Sequence, residues 1–185
     1  MAPMNAWQWA TGAALAAASV SAAATQYATP EEAARRCFPE ATAFKDSTVQ
    51  LGPDEMSAVA QAAGVPARSA AWRVMTALNG DVPLGVVVFD GVIGKYELID
   101  YAVGIAADGK LRNVEILNYR ESHGFEVRLP AWRKQFVGKD GTAALRVGED
   151  IANISGATLS CAHVTDGVRR IVAVVALARR SGGLA

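Results

Sequence analysis

Six residues near the carboxyl end, Ser155-Gly156-Ala157-Thr158-Leu159-Ser160, have the types and order that covalent chemistry at an exposed hydroxyl needs. Gly156 and Ala157 leave the main chain uncovered, so a phosphate or another protein can approach closely, while Thr158 offers a secondary hydroxyl at the tip. A helix starting directly after them would turn free backbone N–H groups and the positive end of its dipole toward any phosphate attached there. Thr158 is not a nucleophile by itself. No activating base stands near it in the sequence, so a phosphoester on its oxygen would have to be made by a separate enzyme. By residue type alone the segment also reads as a tight turn of small residues feeding a helix, with Ser160 or Thr158 as the cap.

Other chemistries have less to stand on. No Ser-His-Asp or Cys-His constellation is readable and Gly-x-Ser-x-Gly is absent, which argues against a hydrolase. His123 and His163 lack cysteine or carboxylate partners at metal-ligand spacing. Cys37 and Cys161 are too few and too far apart for an iron–sulfur cluster, and there is no Cys-x-x-Cys-His for attached haem. In an oxidising compartment the two could pair, and equally they could be two buried small apolar residues. With 18 Lys and Arg against 18 Asp and Glu, the chain offers a polyanion no electrostatic footprint, so nucleic-acid binding is not expected.

Such a site has to be held by a folded domain, and the composition allows one: 51% hydrophobic and 19% charged residues exclude disorder and supply a single core. Every charged residue lies after position 30. Trp7 to Ala24 is uncharged and alanine-rich, and Ala22, Ala23 and Ala24 offer the small residues of a cleavage site, so residues 1–24 read as an export signal or an amino-terminal anchor. The mature domain is then expected outside the cytoplasm.

Thr29-Pro30-Glu31-Glu32 is a capping box that opens a short helix ending near Phe38, because Pro39 follows. A second helix is expected over Asp54 to Ala63, with Gly64 as its stop. Trp72 to Leu78 and Leu84 to Phe89 read as strands around Asn79-Gly80. Tyr96 to Ala106 alternates, with Ile99, Tyr101, Val103 and Ile105 on one side, and Asp108-Gly109 turns it into Leu111 to Tyr119. Pro130 opens a helix carrying Trp132 and Phe136, which Gly138 ends. In a final helix Val168, Ile171, Val172 and Val175 share a face, leaving Arg169 and Arg170 on the wet side or against a partner protein. The expected fold class is α+β: one domain with an antiparallel β-sheet core and short flanking helices. Residues 25–80 would form its helical and first-strand portion and residues 81–180 its core.

The motif and the spacing upstream of it resemble the FMN-binding domain family, which includes flavin-carrying components of the Rnf electron-transport complex and of the sodium-pumping NADH:quinone oxidoreductase. Besides Ser155-Gly156-Ala157-Thr158, the resemblance rests on Gly94-Lys95-Tyr96 running to Ile105, Asp108-Gly109, Glu121-Ser122-His123-Gly124 and Gln135-Phe136-Val137-Gly138-Lys139, and covers about Val86 to Val175. It implies that Thr158 is joined through its oxygen to the phosphate of FMN by a dedicated FAD-dependent flavin transferase, with Ser155, Gly156, Ala157 and Ser160 around the linkage.

Glu121 and Gly124 match the family's Glu-x-x-Gly loop, which lies against the flavin; the alternative is a solvated turn. Lys139 is either a cation near the flavin pyrimidine ring or a charge suited to a helix end. Trp132 and Phe136 cover a flavin face or pack in the core. One position departs from the pattern: Ala152 stands where the family often has an acidic residue, with Asp150 two residues earlier, so non-covalent FMN is the fallback. The implied function is an exported electron-carrier flavoprotein, a redox subunit and not a stand-alone catalyst, working with a redox protein or a membrane electron-transport complex. The competing class is a cofactor-free exported adaptor that docks on a membrane complex.

Overall fold

The computed structural model describes residues 25–121 and 123–184. The expected export segment, residues 1–24, and Ser122 of the Glu-x-x-Gly loop lie outside the described residues.

Local signals set the first elements. After β1 (Thr25–Gln26), Thr29 Oγ1 accepts from the Glu32 N–H at 3.2 Å while Glu32 accepts from the Thr29 N–H at 2.8 Å. This reciprocal cap starts α1 (Pro30–Cys37). Then come β2 (Ala43–Gln50) and α2 (Pro53–Ala63), the latter ended by Gly64 in the left-handed conformation at φ 65°. The strands β3 (Ala71–Asn79), β4 (Val82–Ile93), β5 (Leu98–Ala106) and β6 (Leu111–Tyr119) follow as consecutive hairpins. A 3₁₀ turn (Phe125–Arg128) leads to α3 (Pro130–Arg133), which tightens into a second 3₁₀ turn (Lys134–Phe136). The last element, α4 (Thr158–Arg180), is 23 residues long, whereas the other helices are short.

The sheet order is β1-β6-β5-β4-β3-β2, antiparallel throughout. This is the expected α+β class. The strand β2 was not expected: only Val49 of its eight residues is buried, so no alternation marks it.

Period-2 alternation divides the core between the two faces of the sheet. Ile99, Tyr101, Val103 and Ile105 face α4 in the larger cluster, while Ala102 faces α1 together with Cys37, Phe38 and Leu117. In β6 the alternation is broken twice, because Leu117 and Arg112 are extra residues opposite β5. These bulges turn Leu111, Val114, Ile116 and Tyr119 all toward α4, which unbroken alternation could not do.

The helix α4 lies on the sheet at unusually close range. A Cβ on Gly167 would stand 2.0 Å from the Tyr101 hydroxyl. That hydroxyl donates to Asp90 at 2.6 Å, and Asp90 pairs with Arg170 at 3.2 Å. Arg170 is 2% exposed. Its expected place on the wet face is therefore corrected: the helix is buried nearly all round, and Arg170 is the partner of a buried carboxylate. Burial, with the Asp90 charge beside it, raises the Tyr101 pKa well above its ordinary value.

Cys37 and Cys161 are both free and buried, one in the cluster under α1 and the other in the cluster under α4. The sheet lies between them, so they do not pair.

Gly167→Ala has no room for its methyl against Tyr101 and is expected to cost about 1–3 kcal/mol of stability, read from the urea midpoint. Burial pushes the Cys37 thiol from 9.0 up to about 12. Above pH 9 the unfolded chain then loses a proton that the folded chain keeps, so stability should fall as pH rises through this window. Chemical denaturation between pH 8 and 10.5 should show a steeper decline for the native chain than for Cys37→Ala.

Candidate functional site

The amino-terminal end of α4 is made by a turn that only these small residues allow. The Ala157 N–H donates to the Ile154 carbonyl at 3.0 Å, and Gly156 sits at φ 83° in the third position of the turn, where a side chain would be strained. Ala157 is the N-cap, and the first helical bond runs from the Cys161 N–H to its carbonyl at 2.9 Å. Among the described residues no side chain caps this terminus and no acidic residue stands in the first turn, so the leading N–H groups and the positive end of a 23-residue helix face outward, as an anion site requires. The cap expected of Thr158 or Ser160 is therefore not made. Thr158 is exposed, and its oxygen accepts from Asn153 Nδ2 at 3.1 Å.

The Glu121–Gly124 loop packs directly on this turn. Gly124 is buried at φ 80°, and a Cβ there would come 2.7 Å from the Ala157 Cβ and 2.9 Å from the Tyr119 hydroxyl. Tyr119, turned inward by the second bulge of β6, donates to the His123 carbonyl and lies 3.3 Å from Ser160 Oγ. One phenol thus ties the end of β6, the loop and the first turn of α4 together, and burial raises its pKa.

Glu121 works from the other side. Its Oε1 accepts from the backbone N–H groups of Tyr96 at 2.6 Å and Glu97 at 3.0 Å, and a Cβ on Gly94 would stand 2.6 Å from the same oxygen. The β4–β5 turn, with Lys95 and Tyr96, is held beside α4 in this way. Between these segments lies a cavity of about 560 Å³.

Of the residues expected to form a site, Glu121, Gly156, Ala157, Thr158 and Ser160 line this cavity. Ser155 is exposed in the turn that leads into it, and Gly124 packs behind Ala157. Lys139 is not among the lining residues. It pairs with Asp150 at 3.2 Å, and its carbonyl accepts from the Leu111 N–H at 2.7 Å, at the start of β6. The cavity lies at the other end of this nine-residue strand, on the order of 25 Å away at the ordinary rise of a strand. Lys139 is therefore a charge at a turn away from this cavity.

Asp150 is equally committed. Burial works against its charge, but the Arg146 and Leu145 N–H groups and Lys139 together hold the carboxyl below its ordinary value. It cannot stand in for a carboxylate at Ala152. Trp132 and Phe136 meet edge to face at 5.2 Å in the main core, 5% and 0% exposed, and do not cover the cavity. Lys95, Tyr96, His123 and Leu159 complete the lining beyond the residues expected to form a site, with Tyr119 against Ser160. Gly94-Lys95-Tyr96 was visible as a motif; Tyr119 carried no signal, because its inward direction depends on the bulge. Among the described residues no group of His, Cys, Asp and Glu could hold a metal ion.

A comparison with curated proteins finds no match to this chain. The family comparison matches residues 94–173, which begin at the glycine under Glu121 and run through Thr158 into the second half of α4, to the model of the FMN-binding domain. Residues 94–173 thus match an FMN-binding domain, the family that the motifs resemble.

Proposed function

We propose that the chain is an extracytoplasmic electron-transfer flavoprotein in which FMN is esterified through its phosphate to Thr158 by an FAD-dependent flavin transferase. It would relay electrons between redox partners in or at the membrane. The observation that carries this reading is an exposed Thr158 hydroxyl at the first residue of a helix whose N-terminus lacks a side-chain cap, opening on a cavity of about 560 Å³.

The residues present fit the cofactor. The cavity falls within the ordinary range of cofactor sites, about 300–1,000 Å³. The open N–H groups of α4 suit a phosphate attached at Thr158. Gly156 leaves open space where a Cβ would project, so the linkage is not crowded by its neighbour. FMN, when bound, supplies the exchange of one or two electrons. The chain's part is positional: Tyr119 fixes the loop against α4, Glu121 holds Lys95 and Tyr96 at the mouth, and Lys95 brings positive charge to the lining.

Among the described residues the one hydrogen-bond partner of Thr158 Oγ1 is an amide, Asn153. With no base hydrogen-bonded to it among the described residues, the hydroxyl is not activated as a nucleophile, which supports attachment by a separate enzyme. Residues 1–24 supply the export route in this reading, and a covalent tether suits a compartment where a lost cofactor is not readily replaced. The cofactor-free adaptor reading predicts a colourless protein.

Intact mass spectrometry of the protein from its native source should show one FMN less one water, and denatured material should fluoresce as flavin; a protein with neither adduct nor bound flavin rejects the proposal. Thr158→Ala should lose the adduct completely while remaining folded. Gly124→Ala, forced against Ala157 at a positive φ, should cost about 1–3 kcal/mol of stability and lower the flavin bound per chain several-fold, read by visible absorbance.

A further inference from the structure

A second cavity, about 600 Å³, lies farther along α4, between the carboxyl end of α2, the 141–149 segment and the second half of α4. It exists because the facing side chains are too short to meet. Ala62, Ala143, Ala173 and Ala176 present methyl groups where larger residues would close the gap. Around this apolar floor stand Arg146, Arg169 and Arg180, against one carboxylate, Glu149, which pairs with Arg146 at 3.4 Å.

Arg169 is the most telling of the three. Its side chain is 15% exposed and its Nη2 donates to Asp166 at 2.9 Å, yet its Nε is enclosed and makes no hydrogen bond among the described residues. An enclosed guanidinium N–H without an acceptor is costly, and an anion seated in the cavity beside this side chain would offset its charge. Arg169, Ala173, Ala176 and Arg180 follow one another on a single helical stripe, so two arginines on the order of 16 Å apart along the axis flank a pair of alanines. Charge beside apolar surface, in a space of ligand size, selects a molecule with both characters.

We infer that this cavity binds an amphipathic anion, a phosphate or carboxylate head on an apolar body, with the head beside the Arg169 guanidinium and the body along the alanines. The inference is independent of the flavin reading, since Thr158 lies more than two helical turns away at the start of α4. A free ligand and a lipid head group share this chemistry.

The probe is octyl phosphate, with octanol and inorganic phosphate as controls, titrated into full-length protein carrying labelled alanine and valine methyls. Saturable shifts are expected at Ala62, Ala143, Val172, Ala173 and Ala176, with Ala157 unmoved and both controls binding about tenfold more weakly or worse. Arg169→Gln should weaken octyl phosphate about tenfold, and Ala173→Phe should abolish its binding by filling the space. Thr158→Ala should bind it as the native chain does, which separates this site from the flavin site. Co-sedimentation with phosphatidylglycerol vesicles that is lost in Arg169→Gln would assign the head group to a bilayer; octyl phosphate binding without co-sedimentation would assign a free ligand. No saturable shifts, equal binding of octanol, shifts centred on Ala157, or unchanged affinity in Arg169→Gln overturns the inference.

Discussion

The fold depends on how closely α4 approaches the sheet. Gly167 has no side chain because the Tyr101 hydroxyl occupies that place, and the hydroxyl in turn is half of the arrangement that neutralises Asp90 against Arg170. Removing one member would leave a buried charge without its counter-charge, which is why such clusters are costly to break even where they add little net stability. The contact lies near the middle of the helix. It sets both the height of α4 above the strands and its rotation, and with them the position of Thr158 at one end and of the alanine strip beyond Arg169.

The site itself is built from absence of bulk. Gly94 admits the Glu121 carboxylate, Gly124 admits the Ala157 methyl, and Gly156 permits the turn that opens α4. The first two let neighbouring segments approach more closely than a side chain would allow, and the polar groups so brought together are satisfied by Tyr119 and Glu121. The result is a loop, a turn and a helix end fixed against one another, with the exposed hydroxyl of Thr158 the projecting feature. Positional rigidity of this kind is what a cofactor-bearing site requires of its protein.

Much of this was readable in the residues. The capping box at Thr29, the Gly64 stop, the Asp108-Gly109 hairpin and the alternating face of β5 are local signals with local causes, and each forms where expected. The motif at Ser155 to Thr158 and the Glu121 to Gly124 loop do meet in space. What escaped depends on distant partners. The strand β2 has a single buried residue, so only its pairing with β3 reveals it. The bulges in β6 shift which side chains point inward, and no spacing in Leu111 to Tyr119 announces them. Arg170 looked like a surface residue because its counter-charge, Asp90, lies 80 positions away. Lys139 followed Gly138 as a motif would have it, but β6 carries that turn to the far end of the molecule from the cavity.

The outer margin of β6 is closed by a patchwork. Gly138 and Lys139 bond to the main chain of Leu111, the guanidinium of Arg133 covers the Val114 carbonyl, the Tyr27 N–H takes that of Leu117, and β1 finishes the last two residues. A strand so sealed offers no template to a neighbouring chain. The opposite margin, β2, pairs with no further strand among the described residues, but it is mostly polar and carries Lys45 and Asp46, which would have to be stripped of water before another strand could be added. Both margins of the sheet are thus poor templates for strand addition by another copy of the chain.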